Sequence, residues 1–216
     1  MTDFIRIRYT GRADGRVFDT TEKDVAQKEG VLSEHIAYKP LPVLLGEGTL
    51  IKGMETALTS MKVGEEKTIK IKPAEAYGER NENMIKLVPL KVFQQQKIAP
   101  TPGMVFSLDG SRARVLSVSS GRVRLDFNHE LAGKELEFWI KIDSKAKTEK
   151  EIIDFLTDIT FPMIDGIKVE KKEKEVHVTL PEMVKQLKDL EIRKRMFTDM
   201  AKKHLNVERV LFTESM

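Results

Sequence analysis

Residues 41–78 read LPVLLGEGTLIKGMETALTSMKVGEEKTIKIKPAEAYG. Leu41, Val43 and Leu45 alternate with Pro42 and Leu44, which predicts a short strand buried on at least one face. Gly46 and Gly48 flank Glu47, and two glycines so close predict a tight backbone turn. Beyond the turn, Ile51, Met54, Leu58 and Met61 fall at helical spacing and form one apolar stripe. Gly64 closes the helical region. From Glu66 to Lys72 the pattern changes period, with Ile69 and Ile71 two apart, so a second strand follows. Strand, helix and strand then frame a concave apolar floor from Leu50, Ile51 and Met54. Tyr77 lies just beyond, in an Ala-Tyr-Gly turn.

Upstream, Ile5, Ile7 and Tyr9 alternate with Arg6 and Arg8 in a strand with one buried face. Asp14-Gly15 is a hairpin turn, and Val17-Phe18 begin the return strand. Glu22 to Glu29 reads as a short polar helix, and Gly30 to Lys39 as a loop with no assigned task. Downstream of Gly78, the polar run Glu79 to Asn83 reads as a linker. Met84 to Phe127 then forms a small, mostly β block. Ile85 and Leu87 give a short strand ended by Pro89, and Leu90 to Gln96 a helical turn. Strands follow at 105–108, 113–118 and 123–127, with turns at Asp109-Gly110 and Ser119-Ser120-Gly121. The main body resumes through Asn128-His129-Glu130-Leu131-Ala132-Gly133-Lys134 into a strand from Glu135 to Ile142.

Residues 148–216 read as a small α+β domain of their own, set off by the charged run Asp143 to Glu149. Ile152, Ile153, Phe155, Leu156 and Ile159 predict an amphipathic helix. Ile167 and Val169 with Val176, Val178 and Leu180 predict a hairpin. Pro181-Glu182 opens a long helix striped by Met183, Leu187, Leu190, Phe197 and Ala201. Val207 to Phe212 is a final strand.

The 216 residues leave room for one large or two to three small domains. With 40% hydrophobic and 33% charged residues, the balance is that of a soluble globular protein. Thirty-seven basic against 34 acidic residues give +3, too little to argue for nucleic acid. There is no cysteine, which excludes disulfides, thiol catalysis and thiolate metal sites. His35, His129, His177 and His204 are scattered without ligand spacing, and Gly46-Glu47-Gly48 lacks the third glycine of a phosphate loop. No metal or cofactor is expected. Arg193-Lys194-Arg195 with Lys202-Lys203 reads as a solvated helix face rather than an RNA or ribosome patch. The N-terminus is already an alternating strand without a signal-peptide core, and no run approaches a membrane span, so a cytoplasmic location with no membrane partner is expected.

The ordered set LPVLLGEGTLIKGMETAL, MKVGEE and AEAYG, preceded by Tyr9-Thr10-Gly11 and Phe18-Asp19-Thr20 and followed by Leu136-Glu137-Phe138, resembles the core of the FKBP-type peptidyl-prolyl isomerases. A body interrupted after its Ala-Tyr-Gly turn and resumed through Asn-His-x-Leu-Ala-Gly is similar to the SlyD-like branch. The terminal extension resembles that of the long-chain archaeal members. The resemblance implies an α+β fold, an antiparallel sheet wrapped on a helix. It divides the chain into a body of residues 1–83 with 128–147, an inserted module at 84–127 and a C-terminal α+β domain at 148–216.

It also implies a chemistry. Rotation about an X-Pro amide faces a barrier of about 18–20 kcal/mol, and no bond is broken. A catalyst must therefore bind the twisted amide better than either planar form. Twisting weakens the carbonyl dipole, so an apolar site with a few fixed polar contacts disfavours the planar states. Carried over by position, Tyr9, Phe18, Leu41, Leu50, Ile51, Met54, Tyr77 and Phe138 line the pocket. Asp19 accepts a hydrogen bond from Tyr9 and presents its charge to the twisting carbonyl. The Ile51 amide and the Tyr77 hydroxyl hold substrate carbonyls. Met54 stands where compact members have tryptophan, and Leu41 where they have an aromatic ring. The resemblance further implies that the insert captures unfolded chains, through Ile85, Leu87, Met104, Val105 and Phe106. The expected partners are unfolded proteins with X-Pro bonds, and a homodimer through residues 148–216 is expected. The competing reading is a holdase chaperone or dimeric interaction scaffold in which isomerisation is incidental.

Overall fold

The computed structural model describes residues 3–108 and 110–214. The chain is α+β and forms two compact units, residues 1–69 with 137–216, and residues 70–136. Among the described residues, no helix is long and apolar enough to cross a membrane.

In the first unit, β1 (Asp3–Ala13) is the spine. It turns at Asp14 and Gly15, both at positive φ, into β2 (Arg16–Thr20). That is the backbone an Asp-Gly hairpin requires. The short helix α1 (Lys23–Lys28) follows. The N-terminal half of β1 pairs antiparallel with β3 (Leu41–Leu45), from Asp3 opposite Leu45 to Ile7 opposite Leu41. Gly46 and Gly48, at φ of 90° and 66°, turn the chain from β3 into α2 (Lys52–Thr59). Glu55 Oε1 accepts the Gly46 N–H at 2.7 Å and fixes the helix to that turn. Helix α2 buries Met54 and Leu58 but ends at Thr59, so Met61 falls beyond it. β4 (Glu66–Ile71) carries the chain from the first unit into the second, which begins at residue 70.

The second unit is a four-stranded antiparallel sheet with one helix. β5 (Ile85–Pro89), α3 (Leu90–Gln95), β6 (Val105–Leu108), β7 (Ser111–Ser119) and β8 (Arg122–Asp126) follow in sequence, and the sheet order is β5-β8-β7-β6. Its core is Phe93, Ala113, Val115, Val123 and Leu125, with Phe106 packed edge-on against Phe93. The turn expected at Asp109-Gly110 involves Asp109, which lies outside the described residues. The polar run after Gly78 is stitched rather than loose. Arg80 reaches Asp126 at 2.6 Å, and Asn128 bonds both the amide and the carbonyl of Asn81.

β9 (Leu136–Lys145) completes the main sheet, in the order β2-β1-β9-β4. Helix α4 (Glu149–Thr160) starts almost at once, on a capping box in which Thr148 and Glu151 satisfy each other's backbone amides. The Lys147 amide first, and the Thr148 amide second, donate to the Glu151 carboxylate and hold it below its usual pKa. β10 (Lys168–Lys172) and β11 (Glu175–Leu180) form the hairpin, and β12 (Arg209–Glu214) lies parallel to β11. The helix expected from Pro181 divides. Glu182–Gln186 is a 3₁₀ turn, Leu187 is extended, and α5 covers Leu190–His204. The Val184, Leu187 and Leu190 amides each donate to the carbonyl three residues back, a 3₁₀ pattern that the extended Leu187 separates from the α5 ladder. Val184 is buried, whereas Met183 of the expected stripe is 59% exposed. Phe4 of β1 and Leu44 of β3 belong to the same apolar cluster as Phe155, Leu156, Val176 and Phe197. Phe4 meets Phe155 and His204 edge-on at 5.3 and 5.0 Å, and its carbonyl accepts the Ala146 N–H.

Candidate active site

Eight of the nine residues assigned to the pocket lie in the first unit. Tyr9 is held by its backbone. Its N–H donates to Thr21 Oγ1 at 2.9 Å, and its carbonyl accepts from the Thr21 N–H and the Thr20 hydroxyl. Strand pairing sets Asp19 opposite Gly11, two residues along from Tyr9. The Tyr9 hydroxyl therefore spans to Asp19 and donates to Oδ2 at 2.6 Å. A bond that short is expected of a phenol meeting a carboxylate. Asp19 is exposed to water.

Phe138 of β9 is buried. Its ring meets Phe18 edge-on at 5.6 Å and lies 6.2 Å from Tyr9. Met54 is buried on α2, with Leu50 and Ile51 half-buried at the helix entrance. Ile51 is the N-cap residue of α2, in extended backbone. Its N–H precedes the helical ladder, where amides have no intrahelical partner. Leu41, at the start of β3, is 37% exposed.

Gly11 was visible in the sequence only as part of a motif, and its geometry explains its presence. A Cβ there would stand 2.7 Å from both Phe138 Cε1 and Phe18 Cζ. A strand glycine of this kind marks a close approach of side chains from neighbouring strands. β1 also carries an irregularity in its pairing with β2 between Gly11 and Arg12.

Tyr77 belongs to the second unit. There its ring stacks on His129, with centroids 4.0 Å apart and planes 4° from parallel. His129 Nδ1 accepts the Leu131 N–H at 3.2 Å, which fixes the imidazole. His129 thus orients Tyr77, a role that its position 52 residues downstream hides from a reading of local patterns. In the same unit, Leu87 on the edge strand β5 is 61% exposed, and Met104 and Val105 at the edge strand β6 are 37% and 40% exposed. Ile85 and Phe106 are half-buried, and Phe106 serves the module's own core. An open hollow of about 640 Å³ is lined by Val105, Arg112, Arg114, Phe127 and His129, among others.

Residues 1–107 match the family model described as FKBP-type peptidyl-prolyl cis-trans isomerase, and residues 86–131 match one described as FKBP26, IF domain. The chain is 39% identical over 149 residues to the short-type peptidyl-prolyl cis-trans isomerase of Methanocaldococcus jannaschii, covering 69% of this chain and 95% of the relative. It is 40% identical over 134 residues to the FKBP-type peptidyl-prolyl cis-trans isomerase SlyD of Pasteurella multocida, covering 60% and 67%. The SlyD of Escherichia coli is 33% identical over 134 residues, covering 59% and 68%. Likeness that runs through nearly the whole of one relative leaves little room for another lineage: the chain belongs to the FKBP-type peptidyl-prolyl cis-trans isomerases and is a SlyD-like prolyl isomerase.

Proposed function

We propose that this isomerase works on protein chains during folding, and that its inserted sheet captures them while its pocket turns their X-Pro bonds. The observation that carries the first half is the 2.6 Å bond from Tyr9 to Asp19 beside the packed rings of Phe18 and Phe138, a floor to which the family resemblance adds Met54. The floor desolvates the prolyl amide, which costs the polar planar forms more than the twisted form. The tied Asp19 carboxylate adds a fixed negative charge at the carbonyl carbon as it loses resonance. The Ile51 N–H and, by the family resemblance, the Tyr77 hydroxyl hold the flanking carbonyls. Stabilisation confined to the twisted state raises turnover.

The second half is supported by the edges of the insert. Both outer strands of its sheet, β5 and β6, carry or adjoin exposed apolar side chains, Leu87, Met104 and Val105. An exposed strand edge offers unpaired backbone groups to an extended chain of any sequence. Ile85 and Phe106 are half-buried, so they add a smaller apolar area to that surface. Capture makes the later encounter of proline with the pocket intramolecular, which raises its frequency without a new contact. A cytoplasmic setting suits a client-facing chain without cysteine.

The test uses two variants and two assays. Asp19→Ala should lose isomerisation of a tetrapeptide and catalysed refolding of a proline-limited protein together. Leu87→Asp with Met104→Asp should lose only the refolding assay. A holdase with incidental isomerase activity would instead retain its effect on refolding in Asp19→Ala, and that result would overturn the reading.

A further inference from the structure

The inserted module is the basic part of a nearly neutral chain. In residues 84–127, seven lysines and arginines against two acidic residues give +5, while the whole chain carries +3. Four of these cations are arginines on the two central strands of the sheet, Arg112 and Arg114 on β7 and Arg122 and Arg124 on β8. Successive side chains of a strand point to opposite faces. Ala113, Val115, Val123 and Leu125 are buried with Phe93 of α3, so the four arginines share the other face, where all are exposed.

Strand register lays that face out in rows. Val105, Arg114, Asp126 and Ile85 stand side by side across β6, β7, β8 and β5. Leu87 lies beside Arg124, Pro89 beside Arg122 and Ser107 beside Arg112. Each outer strand thus shows apolar or small side chains, and the strand inside it shows arginine. The protein's own carboxylates hold these arginines weakly. Arg114 meets Glu130 at 3.4 Å and Arg124 meets Glu82 at 3.8 Å, in pairs whose side chains are at least half exposed. Such pairs contribute little and exchange readily. Among the described residues, Arg112 and Arg122 have no ion pair to a carboxylate. Solubility alone is served by mixed signs and does not ask for a face dominated by one.

We propose that this face recognises extended client segments in which acidic side chains alternate with apolar ones. The inference rests on capture by the insert under the proposed function, and it names the chains captured best. A client strand added at either edge sets its alternate side chains two strand spacings, about 10 Å, from an arginine row. An arginine and a glutamate side chain bridge that gap together, and arginine forms forked bonds to carboxylates. Main-chain bonds at the edge then supply affinity, and the face supplies the choice of sequence. The positive field also draws acidic chains toward the module before contact. A single-stranded nucleic acid fits less well, because its bases need aromatic platforms. Phe106, the aromatic residue of these strands, lies on the core side, and the apolar rows have no counterpart on a phosphate backbone.

The test uses the full chain and three fluorescein-labelled peptides with one apolar framework, whose alternate positions are glutamate, glutamine or lysine. Fluorescence anisotropy should rank their affinities in that order. Each exposed charge pair contributes a factor of about 1.4–5, so two pairs should make the glutamate peptide bind roughly twofold to 25-fold tighter than the glutamine peptide. Salt at about 1 M, where the Debye length is about 3 Å, should erase the difference. Arg112→Gln with Arg122→Gln should remove most of the preference, while the melting temperature and the affinity for the glutamine peptide stay unchanged. Equal affinity for the glutamate and glutamine peptides, or a preference that survives the double variant, would overturn the inference and leave capture itself standing. A labelled oligouridylate that binds more tightly than the glutamate peptide would overturn it in favour of nucleic acid. Binding of none of the peptides would overturn capture by the insert as well.

Discussion

Replacing Gly11 by alanine puts a methyl carbon 2.7 Å from a ring carbon of Phe138 and 2.7 Å from one of Phe18. Carbon atoms rest at about 3.5–4.0 Å, so the rings must give way by about 1 Å. Phe138 is only 3% exposed and has nowhere to go. Phe18 is only partly buried and is the ring that moves, under the proposed function into the space a prolyl ring needs. Overpacking of this kind costs about 1–3 kcal/mol. At roughly 2–4 °C per kcal/mol for a chain of this size, the melting midpoint should drop by about 2–12 °C. Tetrapeptide isomerisation, followed without a coupling protease, should lose kcat/KM, with KM raised because the pocket is narrowed. Adding Phe18→Leu should return most of the lost stability but not the activity. A Gly11→Ala protein that melts at the parent temperature and turns over normally would refute the reasoning, since neither ring could then be where it is described.

Three further outcomes follow from particular contacts. Phe4→Ala removes a ring shared by β1 and the C-terminal helices and should cost about 3–5 kcal/mol; the denaturation midpoint reported by Trp139 should fall together with the helical circular dichroism signal, and two separated transitions would contradict a shared core. Burial first, and Lys203 second, hold the His204 pKa below its ordinary 6.5 against the opposing pull of Glu47. The unfolded chain then takes up the proton first as pH drops below about 6.5, so native stability should decline from there downward, and His204→Phe should flatten that decline. His129→Ala removes the ring stacked on Tyr77, a contact worth about 0.5–1.5 kcal/mol; the ring-current shift of the Tyr77 resonances should vanish, and an unshifted spectrum would show that the stack is absent in solution.

Much of the architecture was legible because local chemistry and long-range packing agree. The Gly46-Glu47-Gly48 turn, the stripe from Ile51 and the alternation at Ile69 and Ile71 each state an element in a few residues, and the structure has β3, α2 and β4 there. Asp14-Gly15 did the same for the first hairpin. What stayed hidden depends on partners far apart in sequence. Nothing beside Gly11 says that Phe18 and Phe138 will close over it, and nothing near Phe4 says that it packs on Phe155. The 79–83 run reads as a linker because its bonds go to Asp126 and Asn128. Two misses were local. Thr148 with Glu151 is a helix-start signature inside a run that looked merely charged. Residues 182–186 form a 3₁₀ turn and Leu187 is extended where Pro181-Glu182 suggested a continuous helix.

The division of labour between pocket and insert can be measured on one protein. Residues 84–125 are replaced by a short loop, keeping Asp126 and Asn128, whose bonds to Arg80 and Asn81 close the stem. Circular dichroism confirms a folded body, and both assays are run on the same preparation. Tetrapeptide isomerisation should survive within roughly tenfold, about 1.4 kcal/mol, because Tyr9, Asp19, Ile51, Tyr77 and Phe138 are all retained. Catalysed refolding of a proline-limited protein should fall much further, because the client is no longer held near the pocket. Equal losses in the two assays would contradict the account and reduce the insert to structural support.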